Sequence, residues 1–187
     1  MCAMKKMIQD INPDIICFQE MTFPANLYIP VGYKRVGFSI NHHIYIRKSF
    51  TYKEHKFKIH EESAKITTDK NQTFYIINVH SHWDPKILKK TVEYINTFKQ
   101  PYIACGDFNN FIYDISAAGL SETLNLRFEA GLSAEDTFIN FDRPEESHGE
   151  IDHFYSNFVS EFKYSIIKDL YGSPCRISDH YPILLEF

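Results

Sequence analysis

The chain has 187 residues, with 20 Lys+Arg against 24 Asp+Glu for a formal net charge of −4, and 44% hydrophobic and 16% aromatic residues. That length fits one domain with a sizeable core, the aromatic content excludes disorder, and the slight acidity excludes the broad basic surface of an unselective nucleic-acid binder. Nothing approaches the run of about 18 apolar residues that a transmembrane segment needs, and residues 1–12 lack a secretory signal's apolar stretch, so a cytoplasmic protein is expected.

Met4, Met7, Ile8 and Ile11 recur at helical spacing, and Asn12-Pro13-Asp14 ends that helix in a turn. Ile15-Ile16-Cys17-Phe18 is a continuous apolar run of strand length, with Gln19-Glu20 at its mouth. Residues 33–67 alternate aromatic and β-branched pieces, Ile44-Tyr45-Ile46 and Phe57-Lys58-Ile59 among them, with polar pairs, as antiparallel strands do. Phe74–Val79 reads as a buried strand leading into His80-Ser81-His82-Trp83-Asp84-Pro85. An amphipathic helix over Lys86–Lys99 follows, and Pro101 is expected to end it. Tyr102–Cys105 is the next buried strand, with the loop Gly106-Asp107-Phe108-Asn109-Asn110 after it. A helix is expected near 117–130, then strands at Ile151–Tyr155, Phe162–Ile167 and Tyr181–Phe187. Cys2, Cys17, Cys105 and Cys175 form no CxxC, which reads as reduced thiols rather than a disulfide framework or zinc ribbon. Neither repeats nor a Pro/Gly-rich linker mark a second domain.

Polar residues directly after buried strands gain weight because a rigid sheet can point several of them into one cleft. Five such places occur: Glu20, His80, Asp107 with Asn109, Asp152, and Asp179 with His180. Carboxylates and an amide are the hard oxygen donors that magnesium or manganese prefer, and imidazoles can move protons near neutral pH. Together they cover the needs of phosphoryl chemistry: charge neutralisation, an aligned nucleophile and a proton carrier. Singly each has a plainer explanation. Glu20 would serve as a helix cap, Asp107 as a turn residue, Asp152 as a surface charge and His80 as a hydrogen-bonded structural histidine. Trp83 and Phe108 read as core or rim.

The joint pattern PDIICFQE (13–20), INVHSHWD (77–84), CGDFNN (105–110), EIDHFYSN (150–157) and SDHYPILLEF (178–187) resembles the endonuclease/exonuclease/phosphatase superfamily over nearly the whole chain. The resemblance implies a DNase I-like α/β fold, a two-layer β-sandwich of mostly antiparallel sheets flanked by helices, over a single domain 1–187. It implies a Mg2+- or Mn2+-dependent hydrolase of phosphate esters. Glu20 would be the principal metal ligand, with Asp179 helping to hold the ion. Asp107 and Asn109 would face the phosphate, and His180, held by Asp152, would act as general base or polarise the phosphate. His80 would bind the phosphate or assist the leaving oxygen, while Gln19, Asn78 and Ser178 would support the site. His82 and Trp83 would form the cleft wall, and Thr137-Phe138 would pack near it.

Members of the superfamily usually begin with a further strand carrying an asparagine near the metal, which has no counterpart here. The chain is therefore expected to be N-terminally truncated, and an extension of roughly 10–20 residues, enough for one strand and its turn, to raise stability and activity. The short Met21–Thr73 segment weakens a duplex-DNA reading. Ala104 before Cys105-Gly106, and His153 after Asp152, disfavour the inositol-phosphatase branch. HSHWDP is similar to sphingomyelinase-like and deadenylase-like members, which leaves nucleic acid, a lipid head group or a small molecule open as substrate, with the oligomeric state also open. Two other classes compete: a zinc hydrolase reading His80, His82 and Asp84 as HxHxD, although Pro85 replaces the next histidine, and a noncatalytic binding module that keeps the fold.

Overall fold

A computed structural model describes residues 2–21, 29–37, 42–133, 135–138, 149–168 and 178–187. Cys175 and Ile177 lie outside them. α1 (Cys2–Ile11) leads through the Asn12–Asp14 turn into β1 (Ile15–Phe18), which joins β2 (Tyr33–Val36) and β3 (His43–Arg47) in an antiparallel sheet of order β1-β3-β2. β4 (Thr51–Phe57), β5 (Glu61–Thr67), β6 (Thr73–His80), β7 (Tyr102–Asp107) and β8 (Asp152–Ser156) form the second sheet in chain order. Its pairs are antiparallel except β6–β7, which is parallel and bridged by α2 (Pro85–Ile95). Between β7 and β8 come α3 (Ile112–Ala117), a 3-10 turn at Glu122–Leu124 and α4 (Leu126–Glu129). β9 (Lys163–Ile166) and β10 (Ile183–Glu186) form a separate antiparallel pair.

The two-residue period of a strand decides which core each side chain enters. Ile44 and Ile46 of β3 meet Ala64, Ile66, Ile76, Ile103 and Cys105 between the sheets, whereas Tyr45 turns outward against Met4 and Ile8 of α1. On the far side, Tyr75, Ile77, Val79 and Ala104 pack against Leu88, Val92 and Ile95 of α2. β6 and β7 are thus covered on both faces, which is why their sequences read as continuous apolar runs. β1 and β10 each have a ladder partner on one side only among the described strands, and Ile15, Cys17 and Leu185 pack on the same inter-sheet core.

Three expectations need correction. Phe57 ends β4 while Lys58 and Ile59 belong to the β4–β5 turn, where Lys58 N–H donates to Glu61 O at 2.7 Å. α2 stops at Ile95 rather than Lys99: Thr97 and Phe98 N–H turn to carbonyls three residues back, Tyr94 O at 3.1 Å and Ile95 O at 3.0 Å, and the Thr97 hydroxyl also bonds Tyr94 O at 2.7 Å. The helix expected near 117–130 is broken. Gly119 leaves α3 at φ +105°, and Asn125, extended at φ −76° and ψ 116°, starts α4 afresh by accepting from Arg127 and Phe128 N–H at 3.1 Å each. No helix among the described residues is long and apolar enough to cross a membrane.

Candidate active site

Register places the central groups. His80 lies opposite Asp107 in the β6–β7 ladder and Asp107 opposite Asp152 in the β7–β8 ladder. His80 shares the face of Ile76, Asp107 that of Cys105, and Asp152 that of Phe154, so all three project from the inter-sheet face at one end of three adjacent strands. The sandwich has run out of apolar partners there, and the residues become polar.

His180 reaches the same place from the C-terminal segment. Its backbone bridges to Phe138, its N–H donates to Ser178 Oγ at 3.0 Å, and its ring stands edge-on to Phe138 with centroids 5.3 Å apart. Nδ1 lies 2.8 Å from Asp152 Oδ2. Since a carboxylate accepts, Nδ1 carries the proton and Nε2 is turned inward, 3.9 Å from Asp107 Oδ2. His80 Nε2 approaches the same Asp107 oxygen at 3.7 Å and Glu20 Oε1 at 3.6 Å. Asn109 pins Asp107 from beneath: its N–H donates to Oδ1 at 2.7 Å and its Nδ2 to Oδ2 at 3.0 Å.

A polar layer behind these groups holds the strands in register. Gln19 Nε2 donates to Asn78 Oδ1 at 2.5 Å, and Asn78 Nδ2 donates to Phe18 O at 2.9 Å and His43 O at 3.3 Å, tying β1 and β3 to β6 just ahead of Glu20. Thr137 Oγ1 accepts from both Ile151 N–H and Asp152 N–H at 3.1 Å, and Thr137 O accepts from Tyr181 N–H at 2.7 Å. One threonine therefore brackets the segments that carry Asp152 and His180.

Burial and the neighbouring Asp152 charge raise the Asp107 carboxyl to about 7. Burial pulls the His180 imidazole down, but its hydrogen bond to Asp152 and the charges of Asp152, Asp107 and Asp179 win and lift it to about 9. Burial lowers His80, with Glu20 opposing. His153, the neighbour of Asp152 on the opposite face, is pushed to about 4 by burial and is a structural group: Nε2 donates to Asn110 O at 3.0 Å and Nδ1 accepts from Asn125 Nδ2.

The site residues expected from sequence occupy two zones. His80, Asp107, Asn109, Asp152 and His180 converge, and Asp107, Asp152 and His180 present ligand atoms within 4.8 Å of one another. Glu20 sits at the rim beside His80 with its side chain 71% exposed, and Asp179 is exposed next to His180. His82 and Asp84 do not join the cluster: Asp84 Oδ1 caps α2 by accepting from Lys86 N–H at 2.8 Å, and His82 Nδ1 accepts from Asp84 N–H at 3.1 Å. That removes two ligands from the HxHxD zinc reading. Sequence reasoning missed His42 and His60, which back His80. The His42 ring lies 5.7 Å from it, and His60 Nδ1 donates to its carbonyl at 3.2 Å. Neither follows a buried apolar strand, the signal that found the others.

The sequence pattern of the Endonuclease/Exonuclease/phosphatase family matches residues 1–180. The chain belongs to that family. With membership comes phosphoester hydrolysis as its class of chemistry, and family members generally use divalent metals. Solved structures agree on the fold. A mannosyl-6-phosphatase of Bacteroides thetaiotaomicron superimposes with a TM-score of 0.74 at 20% identity, over 98% of this chain and 89% of that one. A second endonuclease/exonuclease/phosphatase family protein of the same organism gives 0.74 at 20% identity over 96% and 85%. A truncated TDP2 of Caenorhabditis elegans gives 0.72 at 16% identity over 97% and 88%. No curated protein matches the sequence at a significant level. The family's DNase I-like architecture is thus the one the chain adopts.

The donor set suits a divalent cation. Two carboxylates facing each other at the ends of β7 and β8 concentrate negative charge, and burial has raised one of them. A hard cation offsets that charge with the oxygen ligands it prefers.

Proposed function

We propose that the protein is a divalent-metal-dependent phosphoesterase in which His180, oriented by Asp152, assists the attack of water on phosphorus. The observation that carries this reading is the convergence of Asp107, Asp152 and His180 within 4.8 Å, from two adjacent strands and a distant C-terminal segment. Mg2+ or Mn2+ would be held by Glu20, with Asp179 assisting from the rim. When bound, the ion supplies Lewis-acid charge neutralisation for the phosphoryl oxygens.

The chain's own groups divide the remaining work. With Nδ1 committed to Asp152, the His180 Nε2 accepts a proton from water when the ring is neutral, or donates to a phosphoryl oxygen when it is charged. Asp107, fixed by two Asn109 bonds, lies between the two imidazoles and orients the attacking water. His80 Nε2 would hold the phosphate and protonate the departing oxygen, and Asn109, whose donors go to Asp107 and Ser81 O, would serve the phosphate through the Asp107 carboxylate it fixes. A phosphate ester of a nucleic acid, lipid head group or small molecule is the substrate class. The free thiols of Cys17 and Cys105 support a reducing, cytoplasmic setting.

Hydrolysis of bis-p-nitrophenyl phosphate and p-nitrophenyl phosphate with and without magnesium tests the reading and separates diester from monoester chemistry. His180→Ala and Asp107→Asn are each expected to lower the rate by about 100-fold or more. Equal rates in the parent and both variants would reject it.

A further inference from the structure

The rim beside His80 carries more exposed apolar surface than a phosphate needs. The β4–β5 turn arrives at the site end of the sheet, because His80 N–H donates to His60 O at 2.9 Å and His60 Nδ1 donates back to His80 O at 3.2 Å. Ile59, next to His60, is 78% exposed, Phe57 is 51% exposed, and Trp83, three residues past His80, is 54% exposed. Phe57 is continuous with the site wall: its ring lies 6.3 Å from that of His42, which lies 5.7 Å from that of His80. Lys58, the cation between Phe57 and Ile59, is drawn aside with its Nζ 4.0 Å from the Tyr94 ring centroid. The Trp83 loop is braced, since Asn110 Nδ2 donates to His82 O at 3.0 Å and Asn109 Nδ2 to Ser81 O at 3.3 Å. Large apolar groups exposed beside a polar cluster, on backbone fixed by these bonds, mark a recognition surface.

Resting on the phosphoesterase reading, we propose that Phe57, Ile59 and Trp83 form a subsite for a planar ring carried on the alcohol or phenol esterified to the phosphate. The chemistry is a flat ring against an indole and a branched aliphatic side chain, which a nucleobase or a free aryl group both satisfy and a bare sugar phosphate does not.

The test compares kcat/KM for 2-naphthyl phosphate and phenyl phosphate, whose leaving groups are similar in acidity, in the presence of magnesium. The parent is expected to favour naphthyl about fivefold or more, and the Ile59→Ser/Trp83→Ser double variant to bring the ratio near one. Tyr52→Ser, an exposed aromatic at the other end of the sheet beside the Ile66–Phe74 pair, should keep the parent ratio. Trp83 is the single tryptophan, so its indole N–H gives one NMR signal, which should move saturably on adding 2-naphthyl phosphate to the protein in EDTA. Turnover with neither a naphthyl preference nor an indole shift overturns the subsite and leaves the phosphoesterase reading standing. An indole shift without turnover of either ester supports the subsite and removes that reading. Adenosine 5′-monophosphate against ribose 5-phosphate names the source. A preference lost in the double variant assigns a nucleobase; equal rates beside a retained naphthyl preference assign a non-nucleotide aryl group.

Discussion

Glu20 and Asn109 both hold left-handed backbone, φ 52° each, a conformation that asparagine tolerates and glutamate rarely adopts. The turn at Glu20 aims a carboxylate at His80 immediately after the half-buried strand β1, which the sequence read as a buried central strand, and the one at Asn109 lets both its amides reach Asp107. Nothing in the sequence announced those dihedral angles; only the position of the residues after apolar runs was legible. The Asp152–His180 pair gives the sharpest test on single groups. Asp152 raises the imidazole, so Asp152→Asn should lower its pKa by about 1–3 pH units in ion-free protein, read from the His180 ring signals in an NMR titration. An unchanged titration would mean that Asp152 does not set the ring's charge.

β6 and β7 were readable as strands because both faces are buried, which leaves an uninterrupted apolar string. β4, TYKEHKF, is exposed along most of its length and carries little apolar signal, so its boundaries came only from pairing with β5. The β6–β7 contact depends on Gly106. A Cβ there would stand 2.2 Å from Val79 O and 2.7 Å from Gln19 Nε2, at a φ of +127° that only glycine holds without strain. Gly106→Ala should therefore cost about 3 kcal/mol or more in denaturant unfolding, because the obstacle is backbone and sits one residue before Asp107. Thr137→Val leaves two buried N–H groups without their acceptor and should cost about 1–3 kcal/mol. Sequence suggested packing at Thr137, but its two-sided bracket needed the return of the 178–181 segment.

Across the whole molecule, the buried Glu62 couples stability to pH. Burial pushes its carboxyl to about 8 despite Arg35, and Oε1 meets His55 Nε2 at 2.8 Å. Between the ordinary value of 4.5 and about 8 the folded chain keeps a proton that the unfolded chain has lost, so this group's contribution falls as pH rises. The parent Tm should drop about 8–15 °C further than that of Glu62→Gln between pH 5 and 8.5. The fold class was legible from the ordered motifs, whereas the separation of β9–β10 from the β1-β3-β2 sheet was not, since no local pattern encodes which edges stay apart.

The single parallel pairing has a last implication. His80 and Asp107 are aligned by the ladder itself, while the chain travels between them through α2 and a loop on the outside. That detour is no ruler for the pair, although its Phe98 ring is packed against Tyr75, Tyr94 and Tyr102. Residues inserted between the exposed Lys99 and Gln100, beyond that packing, should bulge outward and leave the spacing of imidazole and carboxylate alone, so the enzyme can lengthen there without retuning its chemistry.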